Sequence, residues 1–290
     1  DGEDIDLVIT PESAITARLI QDYFDRNPGV QMEIREKVES LDAAMIVGAN
    51  DIIFNDGSGG FTEEETTIKT ADGEYYDLEA FGAIFYFRPG EDEFKREAEY
   101  QKIHLMPFGE TIPFHQILPD FVEALVQVGI MLPGEPDQKY WELETGDGDV
   151  IKLGPNICFE DLFPYLFFRY HREGVQLFVN TTNNAWFDPS SGSLYHYETS
   201  RFRSIEFQTP SVRSTNTGVT AVVLPDGSVS EQFPLREKLA PIVTVPIIEN
   251  QPKTIFGRFG NWFVYLSLVL SLIPIGFGMT RRNKSSKEST

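Results

Sequence analysis

Short apolar runs recur through the first 250 residues, separated by polar and turn-forming stretches. Residues 5–10, 43–47, 83–87, 157–159, 177–179, 219–224 and 242–248 are rich in β-branched, aromatic and leucine side chains, and each is predicted to be a strand. Gly154-Pro155 reads as a turn before the fourth of them. Apolar positions at helical spacing predict helices over 14–25, 119–128, 164–173 and 194–208. Strands alternating with helices predict a layered α/β domain over residues 1–250. The stretch 55–76, with Asp56-Gly57, Gly59-Gly60 and Asp72-Gly73, reads as a surface loop or hairpin; it lacks the closing glutamate of a calcium loop. No internal repeat is visible.

Beyond a linker over 251–260 the pattern changes. Residues 259–280 carry no charge, and the run from Trp262 to Ile273 is apolar all round. About 20 such residues match the hydrocarbon thickness of a bilayer, so 261–280 reads as a transmembrane helix, with a buried core helix as the alternative. Arg258 precedes the run, and Arg281, Arg282, Lys284 and Lys287 follow it in a basic tail over 281–290. The positive-inside bias assigns that tail to the cytoplasm and the acidic domain to the periplasm or cell exterior. The start of the chain shows no signal peptide, and it enters its first strand almost at once, as the later part of something longer would.

Composition narrows the function. With 24 Lys+Arg against 45 Asp+Glu the net charge is −21, which opposes nucleic-acid binding, while 41% hydrophobic residues suffice for a large core. The single cysteine, Cys158, excludes an internal disulfide and a Cys-rich metal site, and the four histidines show no metal-ligand spacing.

Three islands hold candidate chemistry. Cys158 lies between an apolar strand and a helix start, where a cysteine either projects from a tight bend as a nucleophile or is a small buried apolar residue. Glu160 and Asp161 behind it read as a charge pair at a helix N-terminus. Glu12 ends the first strand after Pro11, a place from which a carboxylate can act as general base. Lys102 stands eight residues ahead of Glu110 in a stretch kept out of a helix by Pro107, Gly109 and Pro113. It is either a donor to developing negative charge or a solvated lysine. The aromatic stretches 81–87 and 162–170 serve either as core or as a lipid approach.

In their order and spacing these islands resemble the Glu–Lys–Cys triad of the nitrilase (carbon–nitrogen hydrolase) superfamily. Within it the wording is similar to the bacterial apolipoprotein N-acyltransferases. The match rests on Pro11-Glu12-Ser13-Ala14, on Lys102 through Pro107-Phe108-Gly109-Glu110, on Cys158-Phe159-Glu160, and on Asn183-Asn184-Ala185-Trp186-Phe187 through His196, Arg201, Arg203, Glu206 and Arg213 to Gly218. It spans residues 5–235. The resemblance implies a nitrilase-like α-β-β-α sandwich with a C-terminal membrane helix, in a fragment that lacks N-terminal membrane helices.

It further implies that Glu12 is the general base, Lys102 the oxyanion stabiliser and Cys158 the nucleophile. Glu110, Glu160, Phe159, Asn183 and Trp186 would be supporting residues. The implied reaction moves an acyl chain from a phospholipid to Cys158 and then to the N-terminal amine of a diacylated apolipoprotein. No cofactor or metal enters it, and the implied location is the inner membrane, in a multi-pass protein. Two alternatives stand beside it: an amidase that hydrolyses a small amide with the same triad, and a catalytically idle, membrane-anchored module. Two positions depart from the family wording, Asn184 where an aspartate is usual and Phe159 where tyrosine is frequent.

Overall fold

The computed structural model describes residues 4–15, 28–55, 67–69, 75–91, 98–112, 131–187, 190–249 and 251–287. The helix expected over 119–128, most of that over 14–25 and most of the loop over 55–76 lie outside them. Two compact units result, Asp1–Gln251 and Pro252–Thr290.

In the first unit, one sheet joins β1 (Leu7–Ile9), β2 (Ala44–Asn55), β3 (Thr67–Lys69), β4 (Tyr75–Phe87) and β5 (Glu99–Gln101). β1 runs parallel to β2, and β4 pairs antiparallel with β2, β3 and β5. The second sheet has the order β11-β10-β9-β8-β7-β6, formed by β6 (Trp141–Glu144), β7 (Val150–Ile157), β8 (Leu177–Thr182), β9 (Ser211–Thr215), β10 (Ala221–Val223) and β11 (Val229–Gln232). β7, β8 and β9 are mutually parallel.

Side-chain alternation sets the layers. On β2, Ala44 and Ile46 face the second sheet while Val47 and Ala49 face the helix α1 (Pro28–Leu41); on β4, Ile84 and Tyr86 face one way and Ala83, Phe85 and Phe87 the other. The inter-sheet core receives Trp141, Leu143, Leu153, Ile157, Leu177 and Val179 from the second sheet, with Tyr86 stacked on Trp141 at 5.1 Å. On the outer face of that sheet Phe178 meets Phe167 of α2 (Pro164–Glu173) at 4.8 Å and Phe207 of α3 (Gly192–Phe207) at 6.2 Å. Helices thus cover both outer faces of two stacked sheets, an α/β sandwich. The aromatic stretches 81–87 and 162–170 contribute Phe85, Phe87, Phe167 and Tyr170 to the core.

Three local expectations are corrected. The strand expected over 157–159 is β7, which ends at Ile157 and contains Gly154-Pro155 rather than following it. A Cβ on Gly154 would come within 2.9 Å of Tyr170 and Val175, and β6 pairs with β7 only as far as Leu153, so Pro155 needs no ladder donor on that side. Residues 242–248 form no strand, since Pro246 interrupts any ladder; Val245 and Ile247 nevertheless pack on the inter-sheet core. The helix α1 was not expected, although Val30, Ile34, Val38 and Leu41 recur at helical spacing along it.

The second unit holds α4 (Ile255–Phe259) and α5 (Trp262–Lys287), so a helix occupies the expected span over 261–280. Side chains of α5 are described as far as Pro274, and among the described residues no helix is long and apolar enough to cross a membrane.

Candidate active site

Each chemically interesting side chain stands just after a strand. Glu12 follows β1, Lys102 follows β5, Cys158 follows β7 and Asn183 follows β8. Because β1, β7 and β8 run parallel to a neighbour, their C-terminal ends can converge on one cleft, the usual place for a site in such sheets.

Close backbone packing sets Glu12. The Gly48 N–H donates to Thr10 Oγ1 at 3.0 Å, and a Cβ on Gly48 would lie 2.2 Å from the Pro11 carbonyl oxygen and 2.8 Å from Glu12 Cα. Only glycine permits that approach. Lys102 is held by its own backbone, its N–H donating to Gly82 O at 2.7 Å and its carbonyl accepting from the Gly134 N–H at 2.8 Å. It is fully buried, not solvated. Its ammonium donates to Glu110 Oε1 at 2.6 Å and to Glu12 Oε1 at 3.1 Å. The second oxygens are also used: Glu12 Oε2 accepts from the Asn183 N–H at 2.7 Å and Glu110 Oε2 from the Met106 N–H at 2.7 Å. Burial opposes the charge on Lys102, but the Glu12 and Glu110 carboxylates more than reverse this and raise its pKa, so the lysine stays an ammonium.

Cys158 has φ +50°, a left-handed conformation that is costly for a residue bearing a Cβ, and it opens the single turn Cys158–Leu162. A strained strand-to-helix turn of this kind presents a side chain at the end of a sheet. Burial raises the thiol pKa and the Glu12 carboxylate adds to this, against the opposing charges of Lys102 and Arg213, so the resting sulfur carries its proton.

Glu160 ties the cysteine turn to the lysine segment. Fully buried, its carboxylate accepts from the N–H groups of Ile157 at 2.7 Å, Ile103 at 2.6 Å and His104 at 3.1 Å, and from the Tyr100 hydroxyl at 2.9 Å. Burial pushes its pKa up to about 7 against the lowering effect of the Ile157 and His104 hydrogen bonds and the Lys102 charge.

Among the residues singled out from the sequence, Glu12, Lys102, Glu110 and Asn183 thus meet through hydrogen bonds, and Cys158 lies within their electrostatic reach. Phe159 is half-buried and packs edge-on against Phe163 with centroids 5.2 Å apart. Trp186 is brought to no such contact; it is 74% exposed on the short turn Ala185–Phe187. Sequence reasoning missed Tyr100 and the role of Asp161, which is no exposed helix-end charge but a buried partner of His196 and Arg213. One signal was available: Asn156, Asn180 and Arg213 interrupt apolar strands, and the sheet register places them side by side.

A model of the carbon–nitrogen hydrolase family matches residues 2–247. Among curated proteins, an apolipoprotein N-acyltransferase of Geobacter metallireducens is 30% identical over 96% of this chain and 47% of its own length. One of Bdellovibrio bacteriovorus is 30% identical over 94% of this chain and 46% of its own length. The chain therefore spans about half the length of these relatives. Among solved structures, the C. elegans NitFhit protein superposes with a TM-score of 0.52 at 20% identity, covering 80% of this chain and 50% of that one, a likeness of fold. With two stacked sheets, a single cysteine at a left-handed turn and a family match over nearly the whole first unit, the chain belongs to the carbon–nitrogen hydrolase family.

Proposed function

We propose that this chain is the catalytic part of a membrane-bound apolipoprotein N-acyltransferase that works through a thioester on Cys158. The observation that carries the reading is the buried Lys102 ammonium between Glu12 and Glu110, with Cys158 in electrostatic contact with the same groups. The names of the relatives supply the substrate class.

In the first half-reaction Glu12 takes the thiol proton as the sulfur attacks the ester carbonyl of a phospholipid. Lys102 and the Phe159 N–H stabilise the oxyanion. Collapse breaks the ester C–O bond, Glu12 returns its proton to the departing lysophospholipid oxygen, and the acyl group remains on sulfur. In the second half-reaction the N-terminal amine of a diacylated apolipoprotein attacks the thioester, Glu12 removes the amine proton, and the C–S bond breaks to restore the thiol. Glu110 and Glu160 act by position, the first on the lysine head and the second on the backbones flanking Lys102 and Cys158.

In the same reading α5 crosses the inner membrane, with its basic end in the cytoplasm and the catalytic unit facing the periplasm. Its 26 residues extend about 39 Å at 1.5 Å per residue, and its described large side chains, Phe263 at 65%, Leu268 at 58% and Leu272 at 55% among them, stay exposed. Cys158→Ser tests the function: the variant should fold and lose acyl transfer to a diacylated lipopeptide, and retained transfer would remove the thioester route.

A further inference from the structure

We propose that His196 is a positioning residue that sets the oxyanion-binding peptide of the Cys158 turn from behind; this rests on the reading of Cys158 as nucleophile. The carbonyl of Cys158 does not face the cleft groups. It lies 3.2 Å from His196 Nε2 and accepts from Asn180 Nδ2 at 3.3 Å. A peptide bond is planar and trans, so its C=O and N–H point in opposite directions. Pinning the Cys158 carbonyl to the interior therefore aims the Phe159 N–H away from it, and holds a turn whose left-handed φ of +50° is unfavourable in isolation.

The hydrogen positions on His196 follow from its neighbours. Nε2 faces two acceptors, Cys158 O and Asp161 Oδ1 at 2.8 Å, and so carries the hydrogen. Nδ1 faces Arg213 Nη2 at 3.1 Å, an obligatory donor, and so accepts. Asn184 sets its amide oxygen 3.2 Å from Nδ1 while its Nδ2 is left without a partner; with the amide turned about, Nδ2 donates to Nδ1 as well. A carboxylate at 184 could not. The amide that departs from the family wording thus fits an imidazole that carries its hydrogen on Nε2 and accepts at Nδ1. Arg213, paired with Asp161 and donating to Asn180 Oδ1 at 2.9 Å, joins both donors of the Cys158 carbonyl into one buried network.

Two substitutions separate the role from general packing. The amide nitrogen of glutamine can take the place of Nε2, whereas that of asparagine reaches only the Nδ1 side. In the detergent-solubilised protein, the rate of S-acylation by phosphatidylethanolamine is read beside the rate of Cys158 alkylation by iodoacetamide, which passes through no oxyanion. His196→Asn should slow acylation about 10²-fold, as loss of an oxyanion donor does, while alkylation changes little. His196→Gln should restore acylation. Asn180→Asp, which replaces the other donor to the same carbonyl by an acceptor, should show the same split if either histidine variant folds poorly. Parallel loss of acylation and alkylation, unimpaired acylation in His196→Asn, or no rescue by glutamine would overturn the positioning role. Absence of any acyl adduct on the unaltered protein would instead overturn the nucleophile reading on which it rests.

Discussion

The ammonium of the fully buried Lys102 lies 3.1 Å from a carboxylate oxygen of Glu12, ninety residues away in the chain. The pairing gives Glu12 opposite influences on the thiol. Its charge raises the Cys158 pKa, yet it is the proposed acceptor of that proton. Glu12→Gln should therefore lower the pH midpoint of Cys158 alkylation while slowing S-acylation by about 10²-fold or more, the usual contribution of a positioned base. Alkylation and acylation rising together would show that another group takes the proton.

Loss of the lysine affects stability as well as rate. Lys102→Met leaves the buried Glu12 and the partly buried Glu110 without their cation, a change that costs about 3–5 kcal/mol. Denaturant unfolding should show that loss, and Lys102→Met with Glu12→Gln and Glu110→Gln should recover part of it. If the single variant unfolds at the same denaturant concentration as the unaltered protein, the ammonium is not the counter-charge described.

Gly48 brings no side chain to the site, but a methyl group there would collide with Pro11 and Glu12. Gly48→Ala should displace Glu12 and slow acylation at least as much as it destabilises the domain. Unchanged acylation kinetics in the folded variant would mean that the position of Glu12 is set elsewhere.

Burial raises two acids, Glu160 and Glu206, to about 7. An acid whose folded-state pKa lies above its ordinary value binds its proton more tightly when folded, so its contribution is complete below about 4.5 and lost as pH rises through about 7. The midpoint of thermal unfolding should fall between pH 5 and pH 8, and Glu206→Gln should make that fall shallower. A midpoint that rises over the interval, or a slope untouched by the substitution, would contradict the account.

Much of this was legible in the sequence because it rests on period and spacing. Alternation on β2 and β4 marks two faces, Pro164 and Gly174 bound α2 to the residue, and the order of Glu12, Lys102 and Cys158 holds without knowledge of the fold. The tether through Glu160 was less visible, since its four donors come from two distant places in the chain, residues 100–104 and Ile157. The contacts of His196 and Arg213, though both residues stand in the matching stretch, were hidden for the same reason: sheet register and a covering helix bring them beside Cys158. Trp186, an aromatic residue inside a matching motif, lies exposed.

The most direct measurement is the intact mass of the solubilised protein after incubation with phosphatidylethanolamine, followed by addition of a diacylated lipopeptide. The account predicts a gain of one acyl chain on Cys158, discharged as the triacylated peptide appears. A gain discharged only by water, or a fully folded protein that never gains mass, would contradict it.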